Sequence, residues 1–295
     1  LLKIRNSTKI INFFLLGLFL GLAFLAKYAA VYFLISLFFL ILADKRMFDI
    51  IKNNPMGVFV FLTSSVLVLL PNIYWNLNNG WITISHTSDN ANLENLNLNF
   101  YEPLEFIGSQ ILMIGPVLFV SFMYLIKRFI LDFENRFLLV FSIPILFIVL
   151  IESFLVRANA NWAAPALISL FILFFRFVSA KRGNHIKINF IFNYIFAFLL
   201  FGCVMLSSSN KAFDRIRGVG DFANEISAII SDGDLVISDR VIFSNISYEY
   251  RNNSNTVYMP YKGGAKITNH FQMKFPLIND AKKDFFLIGE LSEIS

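Results

Sequence analysis

The chain has 295 residues, of which 57% are hydrophobic and 17% aromatic, with a formal net charge of +5. A soluble domain averages about 45–50% apolar residues, and the excess here is gathered in runs of membrane length, which excludes an ordinary soluble enzyme. The positive balance is no nucleic-acid signature, because the basic residues sit in short loops between apolar runs, the way cytoplasmic loops are marked.

The sequence opens at Leu1, and Lys3, Arg5 and Lys9 have the pattern of an internal loop, with no recognisable signal peptide. It is therefore expected to be the C-terminal portion of a longer protein. The apolar run 10–43 follows, with Lys27 as its only charge, inside "GLAFLAKYAAVYF". A lysine at the centre of a membrane helix costs about 2.5–3.5 kcal/mol on insertion scales. One helix over this run would be about 50 Å long against a hydrocarbon core of about 30 Å. Two helices, 10–26 and 28–43, each span about 25 Å and put the basic clusters 1–9 and 44–54 on one side. The charges thus predict a hairpin with Lys27 at its outer tip, although "AKYA" holds no Gly or Pro to mark a turn.

A third helix over 55–75 runs outward to "LLPNIYWN", and 76–106 is an outer loop without Lys or Arg. A fourth, 107–126, returns to "KRFILDFENR". The fifth, 137–155, leads out to "VRANANWAAP", the sixth, 163–178, comes back to Arg176, Lys181, Arg182 and Lys187, and the seventh, 188–206, goes out again. The four inner segments hold 3, 3, 3 and 4 Lys/Arg and the outer turns 1, 0 and 1. This asymmetry predicts a polytopic α-helical membrane protein with about seven spans. Residues 1–206 form its membrane domain, and 207–295 a small α/β domain on the outer, periplasmic side. In that tail "DFANEISAII" and "RVIFSNISYEYRN" read as helices and "DLVISD", "NTVYMPY" and "KDFFLIGE" as strands. No glycine-rich nucleotide fingerprint follows either of the first two strands, and "YKGGAK" lacks the Walker spacing.

In this topology the outer helix ends collect Lys27 and Tyr28, then Trp81 and His86 in "NIYWNLNNGWITISH", Gln110 in "EFIGSQILMIGP", and Glu152, Arg157, Asn161 and Trp162 in "ESFLVRANANW". An aromatic belt accounts for the tryptophans as well as a site does, a snorkelling tip accounts for Lys27, and an ion pair with Glu152 accounts for Arg157. HExxH, GxSxG and Cys/His ligand spacings are absent from the sequence. The single Cys203 excludes an intrachain disulfide. No metal site and no cofactor are assigned, and a divalent cation is left open. Lys27 and Arg157 at the outer face suit a lipid-linked phosphate, the lysine as a point charge and the arginine as a bidentate fork. Aromatic rings stack on a sugar face, and Asn and Gln bond its hydroxyls.

"GLFLGLAFLAKYAAVYFL", "LPNIYWNLNNGWITISH", "FIGSQILMIGPVLF" and "ANWAAPALISL" resemble, in this order, segments of membrane glycosyltransferases that use polyprenyl-phosphate sugars. These are the protein O-mannosyltransferase-like, aminoarabinose transferase-like and rhizobial lipopolysaccharide galacturonosyltransferase-like proteins of the GT-C type. The resemblance covers residues 10–206. It implies inverting transfer of a sugar from a polyprenyl-phosphate donor to a lipid A, lipopolysaccharide, glycan or protein acceptor on the outer face of a bacterial inner membrane. It also implies donor-phosphate contacts from Lys27 and matches Gly80, Trp81, Asn161 and Trp162 to motifs at or near the active cavity. Tyr28, His86 and Gln110 join the expected substrate cavity from their place at the outer helix ends. The family's catalytic acid lies in the first outer loop, ahead of Leu1, and none of Asp89, Glu94, Glu102, Glu105 or Glu152 matches it. No base is assigned, and residues 1–295 alone are expected to be inactive. A lipid-linked sugar flippase or a non-catalytic membrane subunit is the alternative reading.

Overall fold

The computed structural model describes residues 1–91, 98–125, 131–156, 159–206, 218–230, 233–252, 256–261, 267–277 and 285–289. The chain divides into two compact units, Leu1–Phe198 and Leu199–Ser295.

The first unit is helical. It begins with α1 (Leu2–Asn6), α2 (Ile10–Ala26), a 3-10 turn at Tyr28–Ala30, α3 (Val31–Ala43), α4 (Lys45–Asn53), α5 (Pro55–Asn78) and α6 (Ile82–Ala91). It continues with α7 (Tyr101–Ile114), α8 (Pro116–Leu125), α9 (Phe133–Val140), α10 (Ile143–Leu155), a 3-10 turn at Ala160–Ala163 and α11 (Ala164–Leu206).

The most extensive packing joins α2 to α5 and depends on small residues. A Cβ on Gly17 would run into Ser64 Oγ and the Phe61 carbonyl, and one on Gly21 would stand 2.7 Å from Val68 Cβ. Ser65 Oγ donates to the Gly17 carbonyl at 2.9 Å, so the two backbones are tied where they approach.

The expected hairpin forms. Asp44, at the end of α3, accepts from Arg5 Nη2 at 3.4 Å, so the start of α2 and the end of α3 meet. Arg136 Nη2 donates to the same oxygen at 3.2 Å. Arg176 pairs with Glu134 at 2.6 Å and with Asp132 at 3.4 Å. All four segments read as inner therefore meet at one end of the bundle.

The chain is a multi-span helical membrane protein, as expected, and each of the seven apolar segments read from the sequence is helical over most of its described length. Among the described residues four helices are long and apolar enough to cross a membrane, or six if each of two bent pairs is one span. α2, with 17 residues, falls short of the roughly 20 needed. The fourth expected helix is broken: α7 and α8 meet at 94°. Gly115 takes φ +102°, which ends α7, and Pro116 then opens α8. Asn189 Oδ1 accepts from the Leu118 amide at 2.8 Å, satisfying one of the amides left orphaned in the first turn of α8. The inner loop expected between the sixth and seventh helices is helical, as is the expected loop 44–54 in α4 and part of 76–106 in α6. Within α11, His185 as well as Asn189 has its partner on α8, His185 Nδ1 lying 2.8 Å from Ser121 Oγ.

The second unit holds α12 (Val219–Ile229), β1 (Asp234–Ile237), α13 (Arg240–Glu249), β2 (Val257–Tyr258), α14 (His270–Lys274) and β3 (Phe285–Ile288). Its three strands form a parallel sheet in the order β2-β1-β3. β1 is central and buried, and Leu235 and Ile237 pack with Ala223 and Ile226 of α12 and Phe243 and Ile246 of α13. Each strand and helix read from the tail is present; α14 was not foreseen.

Candidate active-site cavity

At the end of the first unit opposite the Arg5–Asp44–Arg136 cluster, a cavity of about 640 Å³ opens. Phe24, Leu25, Lys27, Tyr28, Val31 and Tyr32 form one side, Asn72, Thr83 and Thr87 another, and Glu152 and Trp162 a third.

Lys27 stands where α2 stops. Its backbone is extended (φ −163°, ψ 132°), its amide still donates to the Ala23 carbonyl at 2.9 Å, and its own carbonyl accepts from Ala30 at 3.0 Å. The turn is thus one extended residue followed by a 3-10 turn, a conformation any residue can adopt, which is why "AKYA" needs no Gly or Pro. The side chain is exposed, and among the described residues its ammonium makes no hydrogen bond or ion pair.

Next to it a polar network joins the last turns of α5 to the start of α6. Asn76 Nδ2 donates to the Asn72 carbonyl at 3.0 Å, and Thr83 Oγ1 donates to Asn76 Oδ1 at 2.5 Å. Tyr28 Oη lies 2.8 Å from Thr83 Oγ1 and 3.3 Å from Asn72 Oδ1. Buried polar groups in a membrane protein must find partners internally, and this network ties the Lys27 turn to α5 and α6. α6 is turned back over the cavity by Gly80 and Trp81, at φ +64° and +59°. A positive φ is rare for a residue of that size. The Trp81 amide donates to the Asn76 carbonyl at 2.9 Å, which helps to hold the turn.

Trp162 is carried by the 3-10 turn Ala160–Ala163, which Gln110 secures by donating from Nε2 to the Ala160 carbonyl at 3.0 Å. Its ring packs with Tyr32 and Leu150 against Phe106, Val149 and Ala163. Glu152 projects from the last turn of α10.

Of the expected site residues, Lys27, Tyr28 and Trp162 share this cavity. Gln110 lies behind it and is nearly buried; Trp81 and exposed Asn161 are not among its lining. His86 belongs to α6 with its side chain outside the described residues, and Arg157 lies outside them altogether. Tyr32, Asn72, Thr83, Thr87 and Glu152 join the lining without having been assigned to a site. The available signals were Asn72 and Asn76 inside an otherwise apolar helix, the i, i+4 pair Thr83 and Thr87, and a lone carboxylate in the apolar run 137–155. Among the described residues no group of three or more His, Cys, Asp or Glu side chains is placed to hold a metal ion.

The arrangement offers a cation at the rim without a partner among the described residues, ring faces from Tyr32 and Trp162, and amide, hydroxyl and carboxylate groups. One wall, at Leu25 and Val31, is apolar and exposed. These features define a multi-span membrane protein with a cavity that sets a lysine, ring faces and hydrogen-bonding groups beside an apolar wall. Comparison with known proteins gives the same direction. The chain is 26% identical over 282 residues to the lipid A galacturonosyltransferase RgtD of Rhizobium johnstonii (strain DSM 114642 / LMG 32736 / 3841), a match covering 90% of this chain and 58% of that protein. The resemblance carried by the four sequence segments is thereby met by a relative among the rhizobial galacturonosyltransferases. The chain spans little more than half of that relative's length. No family model matches the chain, and no solved structure does.

Proposed function

We propose that this chain belongs to an inverting membrane glycosyltransferase of the GT-C type, which moves a sugar from a polyprenyl-phosphate donor to a cell-envelope acceptor, lipid A or lipopolysaccharide first among the candidates. The observation that carries the reading is the cavity joining exposed Lys27 to Trp162, Tyr28 and Glu152 beside an exposed apolar wall. In this reading the donor phosphate rests on the Lys27 ammonium, its polyprenyl chain lies along Leu25 and Val31, and its sugar stacks on Trp162. The acceptor oxygen attacks the anomeric carbon, and the bond from that carbon to the phosphate oxygen breaks. Polyprenyl phosphate leaves with the electron pair, and Lys27 offsets its growing charge. The acceptor proton goes to a base that the resembled family places in its first outer loop; no residue of this chain is assigned that role. Arg157 adds a second cation to the phosphate. Residues 1–206 act as the membrane domain in the bacterial inner membrane and 207–295 as a periplasmic domain.

The test is donor binding to the full-length protein carrying Lys27→Ala. Loss of binding is expected, with partial retention in Lys27→Arg; unchanged binding of a polyprenyl-phosphate sugar in Lys27→Ala sinks the phosphate role.

A further inference from the structure

The end of the first unit opposite the cavity carries a surface to which sugar transfer gives no task. α4, "KRMFDIIKN", leaves α3 at a bend of 107°. α4 carries Lys45, Arg46, Asp49 and Lys52, too many charges for the hydrocarbon core. A helix bent this far from apolar α3 therefore lies close to the membrane plane, at head-group depth. Its apolar side chains divide in a way that fits this position: Met47 is buried in the bundle, while Phe48 is 47% exposed. Asp44 starts the helix by accepting from the Met47 amide at 2.9 Å. A groove of about 460 Å³ runs along α4, lined by Lys45, Arg46, Asp49, Ile50, Asn53 and Asn54.

The charge around this groove is not balanced by the protein. Asp44 already serves two guanidiniums, Arg5 and Arg136, and the Nε atoms of both are buried without a partner among the described residues. Lys45, Arg46 and Lys52 are exposed and make no ion pair there. Asp49 is the one acid on the groove. We infer that α4 is an interfacial helix that binds anionic glycerophospholipid head groups, of the phosphatidylglycerol type, through Lys45, Arg46 and Lys52. Each such cation near a membrane surface adds about 1 kcal/mol of attraction to anionic lipid. A zwitterionic head group carries its own ammonium, which repels the same cations, so the surface discriminates between the two lipid classes. The inference does not depend on which leaflet α4 faces or on the glycosyltransferase reading.

Native mass spectrometry of the full chain, released from bilayers of equal phosphatidylglycerol and phosphatidylcholine content, tests it. The wild type is expected to retain phosphatidylglycerol preferentially. The ratio should fall about fivefold for each of Lys45→Gln, Arg46→Gln and Lys52→Gln, and Asp49→Asn should raise it. A misfolded variant loses both lipids together and leaves the ratio unmoved, so the ratio and the opposite sign of Asp49→Asn separate binding from damage. Equal retention of the two lipids by the wild type, or an unchanged ratio in glutamine variants that still retain wild-type amounts of total lipid, overturns the inference.

Discussion

Tyr28 Oη and Thr83 Oγ1 lie 2.8 Å apart across 55 residues of sequence, and the direction of their bond is fixed by a third group. Thr83 gives its proton to Asn76 Oδ1, which leaves Tyr28 as the donor to Thr83, with Asn72 Oδ1 as a second, longer acceptor at 3.3 Å. The phenol therefore holds the turn that carries Lys27 against α5 and α6. Tyr28→Phe keeps the ring and removes the donor, leaving the Thr83 oxygen short of one bond. A loss of about 1 kcal/mol in thermal unfolding is expected, together with about fivefold weaker donor binding as the turn loosens. Unchanged stability and unchanged binding in the same variant would separate the network from the site.

The α2–α5 contact acts on the site from a distance. Gly21 lies six residues before Lys27, and a side chain there has no room, with the Ser65 carbonyl 2.9 Å from the added Cβ. Gly21→Leu is expected to force the two helices apart at a cost of about 1–3 kcal/mol. Donor binding should fall with it, although Gly21 does not line the cavity. Gly202→Leu is the control, since nothing lies within 4 Å of its added Cβ. A Gly21→Leu protein with wild-type unfolding temperature would contradict the close packing.

Asp44 is the shared acid of Arg5 and Arg136. Asp44→Ala leaves two guanidiniums facing each other and strips the N-cap from α4. The expected destabilisation is about 1–3 kcal/mol, below the full figure for a buried pair because Arg136 stays about one-third exposed. Measured in a double-mutant cycle by thermal unfolding, Arg136→Ala should cost less in the Asp44→Ala background than in the wild type. Strict additivity would show that the pair is not coupled.

The side of the membrane on which the tail lies is open to a direct measurement. A reporter fused after Ser207 is expected to read periplasmic, as the basic residues Lys181, Arg182 and Lys187 demand if they stay inside. α11 runs through that basic segment without a loop, so the result also decides whether the chain reverses there in the bilayer. A cytoplasmic signal would overturn the orientation proposed here.

Much of this protein was legible without coordinates, because the controlling quantities are local. Segment length and loop charge mark the membrane runs, and they also predicted that residues 1–9, 44–54 and 127–136 would share one end, which the Arg5–Asp44–Arg136 cluster bears out. The order of strands and helices in the tail was readable for the same reason, since alternation and helical spacing are properties of short windows. Helix breaks were less legible. Lys27 ends α2 with no special residue, whereas Gly115–Pro116 was in plain view and its consequence missed, because the cost of a break is decided by what receives the freed groups. Asn189, 71 residues away, receives the Leu118 amide.

The cavity was decided by tertiary structure alone. The sequence nominated Lys27, Tyr28 and Trp162 one by one, each with a bland alternative. Only packing brought them to one space with Tyr32, Asn72, Thr83 and Glu152, which lie on four separate segments. The physical reason is that composition determines which side chains a helix carries to a membrane surface. Which of them meet depends on where Gly17 and Gly21 let two backbones touch and where one tyrosine proton finds its acceptor.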